Sequence, residues 1–152
     1  MAKQGRYIYD WPRPMVTVDA LVFTLSAGVP SVLLIKRGNE PFKGQWAVPG
    51  GFVDMDEELH DAAVRELAEE TGLTGVKLEQ MYTFGTVGRD PRGRQITICF
   101  FGIVAKDNIA VKGGDDASEA KWWPVDALPE PLAFDHSRVI AMGLTRLSGE
   151  IA

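Results

Sequence analysis

Between Met55 and Thr71 the chain contains no glycine and no proline, is rich in Ala, Leu and Glu, and runs directly into Gly72. Good helix formers in an unbroken run, closed by a residue that tolerates the left-handed conformation, predict a helix over this stretch with Asp54 or Asp56 as its N-cap. At roughly 100° per residue, Glu58, Asp61, Arg65 and Glu69 share one solvated arc. Glu66 and Glu70 fall within about 40° of each other, among Leu59, Ala62, Ala63 and Leu67, so both carboxylates are aimed at the body of the protein.

Two inward carboxylates one turn apart repel each other and are costly to bury without a partner, which calls for a cation among them. Glu69, a turn away from Glu66, borders the same arc, and three converging carboxylates offer the hard oxygen ligands that suit Mg²⁺ or Mn²⁺. The competing reading is an exposed Glu-rich helix carrying an Arg65–Glu69 pair at i,i+4 spacing.

Strands are expected around this helix. Met15 to Leu25 is dominated by Val, Thr, Leu and Phe, and the turn-rich Ser26-Ala27-Gly28-Val29-Pro30 separates it from Ser31-Val32-Leu33-Leu34-Ile35, so these two runs should pair. A loop, Arg37 to Gly44, leads to the short run Gln45 to Val48, which Pro49-Gly50-Gly51 should end in a turn. Further strands are expected over Val76 to Val87, Gln95 to Val104 and Ala120 to Pro124, the first two joined by the arginine-rich turn Gly88 to Arg94. The three and four spacings from Ser137 to Leu147 predict a terminal helix. Strands on both sides of an internal helix, with a second helix at the end, imply an α/β or α+β class with a mixed sheet covered by helices on both faces.

The chain has 152 residues, 45% of them hydrophobic, enough for one packed core and too few for two ordinary domains. A single domain over residues 1–152, with its core at about 13–148, is the expectation. The net charge is −5 and no block of basic residues occurs, which argues against a nucleic acid polymer or an anionic membrane as partner and favours a small or metal-neutralised anionic substrate. No long apolar stretch and no apolar core near Met1 to Asp10 suggests a membrane span or a secretory signal, so a cytoplasmic location is expected. Cys99 is the single cysteine, and its neighbours Ile98, Phe100 and Phe101 read as the inside of a strand.

Gly51, then Glu57, then Arg65-Glu66-Leu67-Ala68-Glu69-Glu70-Thr71-Gly72-Leu73 resembles the complete Nudix box, with every defining position occupied. The approach Trp46-Ala47-Val48-Pro49-Gly50-Gly51 and the flanking strands are similar to the family's loop-helix-loop within an α/β/α sandwich. The resemblance implies a metal site of Glu66, Glu69 and Glu70 with the Gly50 carbonyl, braced by Glu57 and Arg65. It also implies attack of water on a diphosphate, assisted by metal ions and by a carboxylate base. Asp115, Asp116 and Glu119 are further candidates for that base, or members of an acidic surface turn.

Flanking segments, among them Pro12 to Ala20, Gly88 to Arg94 and Ala133-Phe134-Asp135-His136, resemble the ADP-ribose pyrophosphatase branch, which implies cleavage of ADP-ribose to AMP and ribose 5-phosphate. Arg37, Arg89, Arg92, Arg94 and Asp116 are the candidate substrate contacts, with Lys43 nearby, and the forked guanidinium groups suit phosphate oxygens. Trp46, Tyr82 and Phe84 are weighed as adenine-stacking residues against a role in core packing. His136 is read either as a substrate-positioning group or as part of a segment capping the last helix, and His60 as a surface residue. The branch also implies a homodimer with Tyr7 to Val18 at the interface. Two other functions share the same box: a pyrophosphohydrolase for modified nucleoside triphosphates, and a non-catalytic sensor of an ADP-ribose-type ligand.

Overall fold

The computed structural model describes residues 5–25, 28–105 and 110–151. Ser26 and Ala27, assigned above to a turn, lie outside the described residues. The strands are β1 (Met15–Leu25), β2 (Pro30–Arg37), β3 (Trp46–Ala47), β4 (Gly50–Phe52), β5 (Glu79–Phe84), β6 (Gln95–Val104) and β7 (Ala117–Pro124), and the helices are α1 (Leu59–Thr71) and α2 (His136–Ile151). All seven strands form one mixed sheet in the order β3-β2-β1-β6-β5, with β4 added to β1 and β7 to β2.

β1 organises the sheet. Along one edge it runs parallel to β6, from Met15 opposite Gln95 to Thr24 opposite Val104. Along the other it pairs antiparallel with β4 at its start, Thr17 to Asp19, and with β2 at its end, Phe23 to Leu25. Residues 17–24 are buried without a break, as expected of a strand covered on both faces.

Because side chains alternate, β1 serves two cores. Val18, Ala20 and Val22 pack with Leu33, Ile98 and Phe100 under Ala62, Ala63 and Leu67 of α1. Leu21 and Phe23 pack with Val32, Leu34, Cys99 and Phe101 under Val139, Ile140 and Leu147 of α2. The sheet is thus sandwiched between two helices, and Cys99 is buried inside a strand as its neighbours implied. On the α2 face the register changes character toward the beginning of β1 and β6, where Thr17, Asp19, Gln95 and Thr97 replace the apolar series. Thr17 and Thr97, opposite each other, join hydroxyls at 2.6 Å.

Several boundaries differ from the sequence reading, each for a local reason. α1 begins at Leu59 rather than Met55, because Glu57 N–H donates to the Asp54 carbonyl and the Glu57 carboxylate accepts from Asp54 N–H, closing a turn before the helix. Neither Asp54 nor Asp56 is the cap; the N-cap is Glu58, extended at φ −70°, with no side-chain capping bond. The C-terminal stop is Gly72, left-handed at φ 75°, its N–H on the Ala68 carbonyl. Pro49-Gly50-Gly51 is not a simple turn, since Gly50 opens strand β4 against β1. The strand expected over Val76 to Val87 is only Glu79–Phe84, while β7 starts earlier, at Ala117. Among the described residues no helix is long and apolar enough to cross a membrane.

Gly143 lets α2 lie close on β1: a side chain there would run into Leu21 and the Phe23 ring. Gly143→Val should therefore overpack this interface and lower the unfolding free energy by about 1–3 kcal/mol in a urea titration.

Candidate active site

A cleft of about 190 Å³ opens where the polar ends of β1 and β6 meet β4 and the two helices. One wall is α1, and its wheel is as the sequence implied. Glu66 and Glu70 are 4% and 5% exposed, whereas Glu58 and Asp61 are in solvent and Arg65 and Glu69 lie between.

Arg65 binds this wall together. Its Nε donates to Glu57 Oε2 at 2.6 Å, its Nη2 to Glu57 Oε1 at 2.9 Å and to the Phe52 carbonyl at 3.1 Å. Its Nη1 donates to Glu66 Oε1 at 2.8 Å and Glu69 Oε2 at 3.2 Å. The Arg65 bond holds the Glu57 carboxyl below its usual range, and the same carboxylates make the guanidinium still harder to deprotonate. Glu57 and Arg65 therefore stand behind the cleft rather than in its lining, as a brace between the 54–57 turn, β4 and α1.

Among the described residues no cation is hydrogen-bonded to Glu70 in this way. Its Oε1 accepts from Gly50 N–H at 2.8 Å, and burial, reinforced by Glu66, Asp19 and Asp116, pushes its pKa up to about 9. Burial also raises Glu66, against the opposing Arg65 bond. In an extended strand a residue's N–H and C=O leave by the same edge, so the Gly50 carbonyl is on the side of Glu70, away from β1. Two glycines are needed here: a side chain at Gly50 would strike Asp19 and the Val18 carbonyl, and one at Gly51 would strike the Glu66 carboxylate.

Among the described residues no group of three or more Asp, Glu, His or Cys side chains is already closed around a metal position. Glu66 and Glu69 are drawn to Arg65 and Glu70 to the Gly50 amide. The donor chemistry nevertheless fits a hard divalent cation, since two buried carboxylates and an adjoining carbonyl carry more negative charge than Arg65 alone offsets.

The candidate substrate residues divide. Arg37, Arg92 and Asp116 line the cleft. Arg37 donates through Nε to the Pro41 carbonyl at 2.7 Å, and among the described residues neither Nη has a hydrogen-bond partner. Burial and the nearby Arg92 lower its pKa. Both guanidinium groups lie over the Phe134 ring, 4.9 and 5.5 Å from its centre, and Arg92 is also 5.2 Å from the Phe52 ring. Arg92 is held to buried Asp90, and Asp116 takes a 3.4 Å bond from Asn39.

Arg89 also borders the cleft, but its guanidinium is consumed internally by a two-pronged pair with Asp135 at 2.8 and 3.0 Å and a bond to Thr97. The Asp135 side chain thus anchors a loop arginine, while its carbonyl accepts from Arg138 and Val139 N–H in the first turn of α2. Arg94 and Lys43 are exposed and outside the cleft, as are Asp115 and Glu119. Trp46 packs edge-on against Trp123, Phe84 is buried, and Tyr82 lies outside the cleft, so the aromatic rings at the site are Phe52 and Phe134 instead. His60 is on the surface against Phe100.

The sequence reading missed Asp19, Gln95 and Thr97 on the cleft floor. Their signal was a polar residue at every second position in otherwise apolar strands. Asp19, raised to about 7 by burial, has its Oδ2 without a hydrogen-bond partner among the described residues and 3.5 Å from His136 Nε2.

With no cation added, Glu70 binds a proton in the folded protein that it would release when unfolded. Its contribution to stability is full below pH about 4.5 and is lost as the pH rises toward 9. Melting temperatures should fall over that window, Glu70→Gln should flatten the decline while still accepting the Gly50 N–H, and saturating Mg²⁺ should do the same in the parent chain. An identical slope in parent and variant would remove Glu70 as its source.

Residues 13–142 match the family described as the NUDIX domain. The chain is 42% identical over 127 residues to the ADP-ribose pyrophosphatase of Methanocaldococcus jannaschii, covering 84% of this chain and 71% of that protein. It is 38% identical over 145 residues to the ADPR responsive transcriptional repressor NtrR of Acinetobacter baylyi, where it covers 93% of this chain and only 57% of the relative. In structure it superposes on the NUDIX domain of Shewanella oneidensis NrtR, complexed with ADP ribose, with a TM-score of 0.83 and 39% identity over 91% of this chain and 94% of that one. The carboxylate-lined helix, its arginine brace and these matches agree, and the chain belongs to the Nudix hydrolase family.

Proposed function

We propose that this chain hydrolyses the diphosphate bond of ADP-ribose, giving AMP and ribose 5-phosphate, with Mg²⁺ or Mn²⁺ as cofactor. The observation that carries the reading is the juxtaposition, in one cleft, of the buried Glu66 and Glu70 with two arginines, Arg37 and Arg92. Similarity to a curated ADP-ribose pyrophosphatase and to an ADP-ribose complex supports the substrate.

Glu66, Glu69, Glu70 and the Gly50 carbonyl would hold the cation. When bound, it would neutralise diphosphate oxygens and make a water more acidic. The chain's own groups supply the rest. Arg65, fixed by Glu57, keeps Glu66 and Glu69 turned toward one another. The Nη groups of Arg37, without a hydrogen-bond partner among the described residues, and the guanidinium of Arg92 would present forked donors to phosphate oxygens in the same cleft. Phe52 and Phe134 flank Arg92 and give the cleft apolar walls that strengthen those charge contacts. Asp116, which lines the cleft beside Asn39, would accept a proton or a hydrogen bond from a sugar hydroxyl.

A second reading has a specific observation behind it: the NtrR relative is a repressor, so the same cleft would bind ADP-ribose without turning it over. Incubation with Mg²⁺ and ADP-ribose, beside modified nucleoside triphosphates, separates the possibilities. AMP and ribose 5-phosphate from the parent chain and none from Glu70→Gln supports hydrolysis. Saturable binding without products favours the sensor, and cleavage of triphosphates alone sinks the substrate assignment. Arg37→Ala should raise KM for ADP-ribose by roughly 10- to 100-fold, the loss expected for charge-assisted hydrogen bonds, with a smaller change in kcat.

The chain is proposed to work as a homodimer in the cytoplasm. Ile8 and Trp11, 96% and 78% exposed, leave the segment before β1 with large apolar surfaces facing outward. Sedimentation equilibrium at micromolar concentration should give a dimer; a monomer there would count against this assembly.

A further inference from the structure

Between β3 and β4 the backbone passes through Val48 and Pro49 before reaching the two glycines. Its hydrogen-bond accounting is unusual. Val48 N–H donates to no backbone carbonyl but to Nδ1 of His136, at 2.9 Å in a buried environment. Pro49 has no N–H, and its carbonyl accepts from Ala20 N–H at 2.8 Å. Gly50 N–H donates to Glu70. Two consecutive donors of this segment are therefore satisfied by side chains from opposite faces of the sheet, His136 at the start of α2 and Glu70 near the end of α1. A buried N–H left unpaired would cost free energy, so both acceptors constrain where the segment lies.

The geometry also fixes the imidazole. A ring whose Nδ1 accepts a hydrogen bond carries its proton on Nε2, which faces Asp19 Oδ2 at 3.5 Å. Asp19 is the register partner of Gly50, so the same histidine touches both the strand ahead of the glycines and the strand beside them. Burial lowers the His136 pKa to about 4, with Asp135 opposing and Arg89 assisting, which keeps the ring neutral near pH 7.

We propose that His136 is a positioning residue for the Gly50-Gly51 segment, acting through the Val48 amide to set the Gly50 carbonyl and the Gly50-to-Glu70 bond at the cation-binding end of the cleft. The consequence for cation binding rests on the function proposed above; the brace itself does not. Arg37 and Arg92 take no part in it, so recognition of the phosphate groups is separate.

The test uses the two amides that divide the functions of an imidazole. Asparagine places its oxygen near the position of Nδ1 and can accept from Val48, whereas glutamine places its amide near Nε2 and cannot. His136→Asn and His136→Gln are compared in the full chain by amide hydrogen exchange at Val48 and Gly50, by Mn²⁺ titration, and by kcat and KM for ADP-ribose, with thermal melts as the control for folding. His136→Gln should exchange the Val48 amide faster, bind Mn²⁺ more weakly by roughly 10- to 100-fold and lose kcat by a similar factor, the scale seen when an outer-shell partner is removed, with KM nearly unchanged. His136→Asn should recover most of each. Equal losses in both variants that follow the melting temperature would reduce His136 to core packing and overturn the proposal, as would unchanged Val48 exchange in His136→Gln. If the parent chain neither binds Mn²⁺ nor cleaves ADP-ribose, the proposed function has failed, and exchange at Val48 still decides whether the brace exists.

Discussion

Arg65 is the contact on which the site depends. One guanidinium reaches the turn before α1 through Glu57, the end of β4 through the Phe52 carbonyl, and α1 itself through Glu66 and Glu69. A lysine would carry the same charge but could not fork in three directions at fixed angles, and it would leave part of this set unsatisfied. The group is only 20% exposed, so screening by solvent is incomplete. Losing it would strand Glu57 and Glu66 as unpaired, partly buried charges, a change far more damaging than the loss of a surface ion pair.

The brace can sit where it does because β1 is two strands in one. From Leu21 onward its α2-facing side chains are core, and before that they are floor. The same switch occurs on β6 between Thr97 and Cys99. Close helix packing is thereby kept away from the cleft, and the space left at the polar end is bordered by β4, which the small side of Gly50 and Gly51 allows to approach both Asp19 and Glu66. Arg89 seals this end by joining Asp135 at the entrance to α2 with Thr97 of β6.

Much of this was legible in the sequence. The inward turn of Glu66 and Glu70 followed from a helical wheel, because a long helix without glycine or proline has a single periodicity and its faces are set by position alone. The brace of Glu57 and Arg65 came from resemblance, since seven residues separate them and the turn at Asp54 lies between β4 and the helix that carries Arg65. What spacing could not supply was the partner of each arginine. Arg89 and Arg92 stand in one loop with similar neighbours, yet Arg89 is taken up by Asp135, 46 residues away, and Arg92 by Asp90. The aromatic residues divide along the alternative that the sequence left open, and core packing holds for two of them. Trp46 and Phe84 occupy core-facing positions, while Phe134, left-handed at φ 53° in a segment that no periodicity describes, reaches the cleft.

Glu70 shows why such a site is expensive to keep. Its carboxylate is buried near Glu66, Asp19 and Asp116, and what it accepts from the chain is one backbone N–H. Filling that position with an apolar side chain of similar size would relieve the conflict and leave Gly50 N–H without an acceptor. The helix therefore violates its own pattern at the point where its inward face meets the Gly50-Gly51 segment, and a fold with consistent choices elsewhere tolerates the violation. A ligand that binds only the folded state returns stability in proportion to RT ln(1 + [L]/Kd), so a cation recruited by the unbalanced carboxylates offsets the cost of burying them. The burial that holds a proton on Glu70 in the free protein and the affinity for a divalent ion are then the same cost seen from two sides.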